Sequence, residues 1–317
     1  MISILLGAGY SYVGGVPLAS QLFDRKPLVD RITRRNLVEG VQAGWVSWHE
    51  QNEGAPEQYL AFLENRHDKQ WTDAIWYVGL IIALATSRVE RVGRNPTITR
   101  HNIDRTTQVP VLEEFWSTIF RRTEDINVVT TNYDILAERG LRHEPRPRVP
   151  RPGFNYGEGP EILAGGGYPS YSHIQRISVE GRVPLLKLHG SVSWGFRDRK
   201  LVKYHDCRPA VRGDPAIVAP VTSKKIPTWL EATWDLASHA LSKSDVWIVV
   251  GYSLPNYDLL VRELLRSSGS HSPQIRVFDP NPQVSSKFAS LIPGAKVSSH
   301  QGLPQGVKDL EDFLDEL

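Results

Sequence analysis

Two side chains in this sequence have chemistry suited to a bound ligand. Asn132 lies in the run Thr130-Thr131-Asn132-Tyr133-Asp134 and can hold a water or a hydroxyl. His189 is followed by Gly190-Ser191; a histidine's ordinary pKa is near working pH, so it can serve as a general base. Both follow apolar, strand-like runs, Ile126–Thr130 and Leu185–Leu188. Two glycine motifs share that setting. Gly7-Ala8-Gly9-Tyr10-Ser11 follows Ile2–Leu6, and Gly251-Tyr252-Ser253-Leu254-Pro255 follows Val246–Val250. Asp279-Pro280-Asn281-Pro282 follows Val277-Phe278. Ligands of open α/β sheets bind beyond the carboxyl ends of strands. The ordered motifs therefore predict one nucleotide-binding cleft that contains an Asn and a His.

Each motif also has a plainer explanation. Gly7-Ala8-Gly9 can bring backbone N–H groups to a pyrophosphate at a helix N-terminus, or it can be a simple glycine-rich turn. The strict dinucleotide fingerprint fails, because Tyr12 stands where the third glycine belongs and no acidic residue ends a clear second strand about 20 residues on. Thr131, Asn132 and Asp134 are all good helix caps. His189 can be a buried or capping histidine. Asp279 and Asn281 can reach a ribose or form a proline-rich turn.

The elements that must position these residues alternate. Strand signals occur at Ile2–Leu6, Ile126–Thr130, Leu185–Leu188, Ala216–Ala219, Val246–Val250, Ile275–Phe278 and Lys296–Ser298. Helical patterns occupy Trp229–Leu241, Tyr257–Arg266, Pro282–Leu291 and Gln305–Leu314, and Pro17 suits the first turn of a helix running through Leu22. The expected fold is α/β, a Rossmann-like doubly wound parallel sheet. The whole chain, 1–317, is expected to form one such domain, with a mainly helical insertion over 25–124. Leu28/Val29/Ile32, Tyr59/Leu60/Leu63 and Ile75/Val78/Leu80/Ile82 recur there at helical spacing, with a loop around Gly93–Val109. Trp45, Trp48, Trp71, Trp76 and Trp116 are expected in core packing or a subunit interface. Arg142–Tyr171 is rich in Pro, Gly and Arg and is expected to be a long surface loop.

Bulk composition narrows the function classes. Lys plus Arg is 37 and Asp plus Glu is 35, a net charge of +2 that argues against a general polyanion binder; no direct nucleic-acid binding is expected. Cys207 is the single cysteine, so no intramolecular disulfide and no cysteine-based zinc site can form. Met1–Gly7 lacks a basic region and a long apolar stretch, and Ala74–Ala85 is too short to span a bilayer. A cytoplasmic, reducing location and no membrane association are expected.

The order Gly-Ala-Gly-x-Ser, Thr-x-Asn-x-Asp, His-Gly, Gly-x-Ser-Leu and a final Asn after a strand resembles the sirtuin (silent information regulator) fold. More closely it resembles the bacterial sirtuin-like NADases of anti-phage defence, from Ile2 to about Ser298. The resemblance implies NAD+ as substrate and no metal. Gly7, Ala8, Gly9 and Ser11 would lie at the phosphates and nearby ribose. Asn132 would position the nicotinamide ribose and a water, with Thr131 beside it, and Asp134 would hold the carboxamide. His189 would act on the ribose hydroxyls as general base. Gly251 and Ser253 would contact the phosphates or ribose, and Asn281 the adenosine ribose. Protein deacylases of the family carry a four-cysteine zinc ribbon after His-Gly, which Cys207 alone cannot build. They also carry Asp-Phe-Arg after Gly-Ile-Pro, whereas Gly15-Val16-Pro17 is followed here by Leu18-Ala19-Ser20.

The expected activity is thus hydrolysis of the nicotinamide–ribose bond, an NAD+ glycohydrolase depleting NAD in abortive infection. Such an enzyme needs an off-state, and Arg142–Tyr171 is the candidate gating loop. Short chains of this type resemble those paired with a HerA-type hexameric ATPase, and the aromatic-rich insertion suits homo-oligomer formation. The alternatives are a non-catalytic sensor of NAD or an ADP-ribose-like signal, a protein deacylase or ADP-ribosyltransferase, and a flavin- or thiamine-enzyme nucleotide domain.

Overall fold

The computed structural model describes residues 1–24, 32–66, 69–86, 89–92, 95–98, 109–141, 151–157, 162–163, 176–177, 182–204, 207, 209–210, 215–218 and 226–317. Its centre is a seven-stranded sheet. The strands are β1 (Ile2–Leu6), β4 (Ile126–Thr130), β5 (Phe154–Asn155), β8 (Val183–Lys187), β12 (Val246–Val250), β13 (Gln274–Phe278) and β14 (Lys296–His300). Their order across the sheet is β14-β13-β12-β1-β4-β8-β5, and every pairing is parallel. β1, β4 and β12 are buried at every position. That explains their mainly apolar sequence, unbroken in β12 and interrupted by Ser3 in β1 and by Asn127 and Thr130 in β4, since helices must cover both faces of a parallel sheet. This is the doubly wound α/β architecture expected from the alternation of elements.

The strand order reverses at β1. The chain passes to β4 and β8 on one side of it, then returns to β12, β13 and β14 on the other. Such a switch point opens a crevice at the carboxyl edge. Register aligns that edge closely: Leu6 pairs with both Thr130 and Val250, Thr130 with Lys187, and Val250 with Phe278. The residues that follow this row begin the motifs containing Gly7, Thr131, His189, Gly251 and Asn281.

Some local expectations change. Residues Ala8–Tyr12 form a short helix, and the helix expected from Pro17 through Leu22 is only a single 3-10 turn, Ala19–Gln21. Gly15, at φ 90°, stops helical propagation between them. The expected strand at Ala216–Ala219 is β11 (Pro215–Ile217), and it does not join the parallel sheet. It pairs antiparallel with β9 (Gly190–Arg197), which forms a hairpin with β10 (Lys200–Tyr204). With β6 (Ile162–Leu163) and β7 (Arg176–Ile177) they make a second sheet, ordered β11-β9-β10-β6-β7. A third ladder pairs β2 (Val89–Val92) with β3 (Asn95–Ile98).

Helices Ile32–Asn52, Pro56–Arg66 and Lys69–Thr86 pack on one another, and the last also packs on β9 and β11. Aromatic rings fill their junction: Phe23 stacks on Trp45 and Tyr77 and meets Tyr59 edge-on. Helix Val109–Phe120 instead packs against Leu136–Leu141 and Val307–Asp315, bringing buried Trp116 against Tyr10. Among the described residues no helix is long and apolar enough to cross a membrane. Most of the proposed gate at Arg142–Tyr171, and most of the loop at Gly93–Val109, lies outside the described residues.

Candidate active site at the carboxyl edge of the parallel sheet

The two glycine motifs meet face to face. Gly7 N–H donates to Val250 O at 3.0 Å, and Gly9 N–H to Gly251 O at 2.9 Å. A Cβ on Gly7 would lie 2.5 Å from Tyr252 Cα, and one on Gly9 would lie 2.7 Å from Gly251 Cα. Gly251, at φ 61°, would place a Cβ 2.4 Å from Tyr10 N. These glycines thus permit two loops to cross at backbone contact. The sequence suggested a pyrophosphate cradle of N–H groups there, but the N–H groups of Gly7 and Gly9 are spent inside the protein. Ala8 between them is exposed.

Ser11, Asn132 and Asp134 form one hydrogen-bonded chain. Asn132 Nδ2 donates to Gly7 O and to Ser11 Oγ, each at 2.8 Å, and Ser11 Oγ donates to Asp134 Oδ2 at 2.6 Å. Asp134 Oδ1 accepts from Leu136 N at 2.8 Å and so caps the helix Leu136–Leu141. Asp134 is 3% exposed, with both oxygens engaged. Thr130 Oγ1 accepts from Asn132 N–H at 3.0 Å and donates to Leu6 O, while Thr131 N–H donates to Leu6 O at 3.2 Å. The Asn132 amide is therefore fixed through its nitrogen. Its Oδ1 accepts no hydrogen bond from any described residue and can take one from water or a ligand hydroxyl.

Lys187, the last residue of β8, anchors this chain from below. Its Nζ donates to the Asp134 carbonyl and lies 3.0 Å from Glu138 Oε1, with both side chains almost wholly buried. Glu138 also accepts from Tyr156 Oη at 2.9 Å. A buried pair of this kind is tolerated when further hydrogen bonds satisfy it; here both partners meet Glu138 Oε1, and Oε2 has no hydrogen-bond partner among the described residues.

His189 occupies the turn between β8 and β9. Gly190, at φ 78°, makes that turn, since a Cβ there would lie 2.1 Å from Ala216 O. The turn is tied to the Asn132 loop: Leu188 N–H donates to Thr130 O at 2.9 Å, and Val192 N–H to Tyr133 O at 2.9 Å. The Tyr133 ring lies 6.1 Å from the imidazole. His189 Nε2 is 3.5 Å from Asp258 Oδ1, and the two side chains are 8% and 5% exposed. Asp258 Oδ2 accepts from Tyr252 Oη at 3.0 Å. Burial, reinforced by the Asp258 charge, pushes the Tyr252 and Tyr133 phenols well above their ordinary pKa. Both are therefore neutral.

The remaining predicted residues lie farther out along the edge. Ser253 is exposed, and its carbonyl accepts from Lys287 Nζ at 3.0 Å. Asn281 is exposed after β13, its Oδ1 accepting from Gln283 N–H and its own N–H donating to Asp279 Oδ1. Burial raises the Asp279 pKa. The structure thus brings Ser11, Asn132, Asp134 and His189 into adjacent loops and leaves Ser253 and Asn281 toward the β13 side. Asp258, Tyr252 and Lys187 carried no role in the sequence reading. Asp258 falls inside the helix expected at Tyr257–Arg266 and is the N-cap residue of the observed one, and nothing in its local pattern shows that its carboxylate serves another loop. Among the described residues no cluster of His, Cys, Asp or Glu is suited to a metal ion.

No protein-family model matches the chain, and no curated protein matches it. Among solved structures it is similar to a Sir2 homologue in complex with NAD, at 14% identity and a TM-score of 0.47, covering 99% of this chain and 89% of that one. It is similar to Sir2 bound to the inhibitor EX-527, 2′-O-acetyl-ADP-ribose and a deacetylated p53 peptide, at 13% identity and a TM-score of 0.44, covering 100% and 93%. A complex of Sir2, a p53 peptide and NAD+ is similar at 12% identity and a TM-score of 0.42, covering 100% and 92%.

Proposed function

We propose that this protein is an NAD+ glycohydrolase, cleaving the nicotinamide–ribose bond to give nicotinamide and ADP-ribose. One observation carries the reading: at the sheet's switch point, an Asn held through its nitrogen and a His paired with a carboxylate stand on adjacent loops. The first offers a fixed acceptor for water or a ribose hydroxyl. The second offers a base. The sequence resemblance to sirtuin-like NADases supplies the substrate class.

In this reading Ala8, Gly9, Gly251 and Ser253 lie along the phosphates, Ser11 and Thr131 beside the nicotinamide ribose, and Asn281 at the adenosine ribose. Asp134, expected at the carboxamide, is buried with both oxygens engaged and instead braces Ser11. The glycosidic C–N bond breaks with its electron pair leaving on nicotinamide, which neutralises the pyridinium. The ribose passes through an oxocarbenium-like state, as in glycoside hydrolysis. A water aligned on Asn132 Oδ1 adds to C1′, and its proton leaves through His189 to solvent. The expected setting is anti-phage defence, with a homo-oligomer and a HerA-type ATPase as partners; a cell that survives with this enzyme must hold it inactive.

Nicotinamide release from NAD+, followed by chromatography, tests the proposal against Asn132→Ala. The variant should lose turnover with KM little changed, as for an interaction used in the transition state. An equally active variant refutes the assignment. Wild-type binding without any product favours the sensor, and acylated ADP-ribose formed with an acyl-lysine peptide favours a deacylase.

A further inference from the structure

We infer that Asp258 is the positioning residue of His189, setting which imidazole nitrogen carries the proton, and that Tyr252 in turn sets Asp258. The inference rests on the proposed role of His189 as base. It starts from a carboxylate in an unexpected place. Asp258 is the N-cap residue of the helix Leu259–Ser268, yet its side chain makes no capping hydrogen bond. An N-cap aspartate ordinarily accepts from the first free N–H groups of its helix. This one is only 4% exposed; one oxygen accepts from Tyr252 Oη at 3.0 Å and the other lies 3.5 Å from His189 Nε2, within ion-pair range. A buried carboxylate is stable only with partners. In place of its own helix N–H groups it faces Tyr252, six residues back, and His189 on another loop.

The loop that carries it is shaped for this. Gly251 and Leu254 both have positive φ, 61° and 51°. Leu254 is fully buried, so the bend is held by packing, and Arg262 Nη1 donates to the Leu254 carbonyl at 3.3 Å. Backbone held in this region by its surroundings is a feature of functional loops. The bend returns the chain so that Asp258 faces His189.

The chemistry follows from donor and acceptor rules. An ionised carboxylate only accepts. In this inference Nε2 of neutral His189, the nitrogen that faces Asp258, carries the proton, and Nδ1 keeps the lone pair that takes a proton during reaction. Asp258 also stabilises the imidazolium so formed, the division of labour seen in Ser-His-Asp sites. The other titratable or charged groups around the pair are Tyr133, Tyr252, Tyr257, Glu57 and Arg262. The three phenols are held neutral by burial. Glu57 is occupied by Tyr257 Oη at 2.5 Å, and Arg262 by Leu254 O. Asp258 is the charged group that makes direct contact with the ring among the described residues.

The decisive variant is Asp258→Asn. Tyr252 Oη donates to this side chain, so the new amide must turn its oxygen to Tyr252 and its NH₂ to His189. Nε2 then becomes an acceptor, and the proton moves to Nδ1. Long-range ¹H–¹⁵N correlation spectra of the full-length protein report the tautomer, with His189 assigned by the signals lost in His189→Gln. The wild type should show Nε2–H and Asp258→Asn should show Nδ1–H. In turnover, Asp258→Asn should lose at least about 100-fold in kcat with KM within about threefold, and Asp258→Glu should recover part of that loss. Tyr252→Phe should give a smaller loss in kcat and a mixture of tautomers. It and Asp258→Glu carry the test should the Asn variant fail to fold. The same tautomer in the wild type and Asp258→Asn, or kcat within about twofold, overturns the inference. An inverted tautomer in a protein whose wild type never turns over NAD+ supports the Asp258–His189 assignment and counts against the hydrolase reading.

Discussion

The crossing of Gly7–Gly9 with Gly251–Tyr252 joins the two halves of the site, and Gly251→Ala measures what that crossing is worth. The new Cβ would meet Tyr10 N at 2.4 Å and Gly9 C and Cα at 2.5 Å each. All three are backbone atoms, so no side chain can swing aside. The alanine must also sit at φ 61°. A non-glycine residue in that region costs about 1–3 kcal/mol, and overpacking a tight contact costs about 1–3 kcal/mol more. The sum, about 2–6 kcal/mol, is a large share of the roughly 5–15 kcal/mol that stabilises a typical native protein. Gly40→Ala is the matched control. Gly40 lies in the helix Ile32–Asn52 with nothing within 4 Å of its Cβ position. That substitution should stabilise by up to about 1 kcal/mol from helix propensity alone. Urea unfolding followed by tryptophan fluorescence reads both midpoints. Gly251→Ala should fall well below the wild type while Gly40→Ala equals or exceeds it. A Gly251→Ala midpoint at the wild-type value would refute the argument, because the loops could not then touch along their backbones.

Two further expectations concern the Tyr257–Glu57 hydrogen bond and Lys203. The hydrogen bond from Tyr257 to Glu57 ties the loop bearing Asp258 to helix Pro56–Arg66, and bonds to charged groups are worth about 1.5–3 kcal/mol. A double-mutant cycle of Glu57→Gln and Tyr257→Phe should therefore return a coupling of about that size in stability, and additivity would remove the tie. Lys203 is buried over the rings of Trp194 and Tyr156, at 4.4 and 4.7 Å, and burial lowers its pKa from 10.5 to about 8. Between those values the unfolded chain holds the proton and the native state does not, so stability rises with pH there. Relative to Lys203→Met, the wild type should gain as pH goes from 8 to 10.5, by up to about 3 kcal/mol. A flat difference across that range would show that the ammonium is not desolvated.

The parts legible in the sequence were those with a local cause. Val246–Val250 is apolar throughout, and Ile2–Leu6 all but Ser3, because both faces of the sheet are covered, and each ends where a glycine must follow. In the second sheet β11 was legible as an apolar run, but its neighbour β9 had no such signature. In Gly190–Arg197 the residues Ser191 and Ser193 are as buried as Val192 and Trp194, so no alternation marks a strand with one wet face. Its turn, Asp198-Arg199, has φ 51° and 63° without the glycine that normally announces a hairpin of this kind. The glycines of the first motif were legible as glycines and not by purpose, because the backbone they make room for is Gly251–Tyr252, at the far end of the chain.

The same reasoning explains why Asn132 and His189 were visible and Asp258 was not. An Asn or a His directly after a strand stands out by type and place. An Asp directly before a helix does not, since capping already accounts for it. Only the missing capping bond, together with the contacts of its two oxygens to Tyr252 and His189, separates the two roles. The distinction is physical as well as positional. A capping Asp replaced by Asn keeps an acceptor for the helix and should change little. A carboxylate that fixes a histidine's proton cannot be replaced so, because the amide presents a donor where an acceptor is needed. Asp258→Asn thus conserves shape and reverses hydrogen-bond polarity at one atom, and the response of His189 decides which role the residue has.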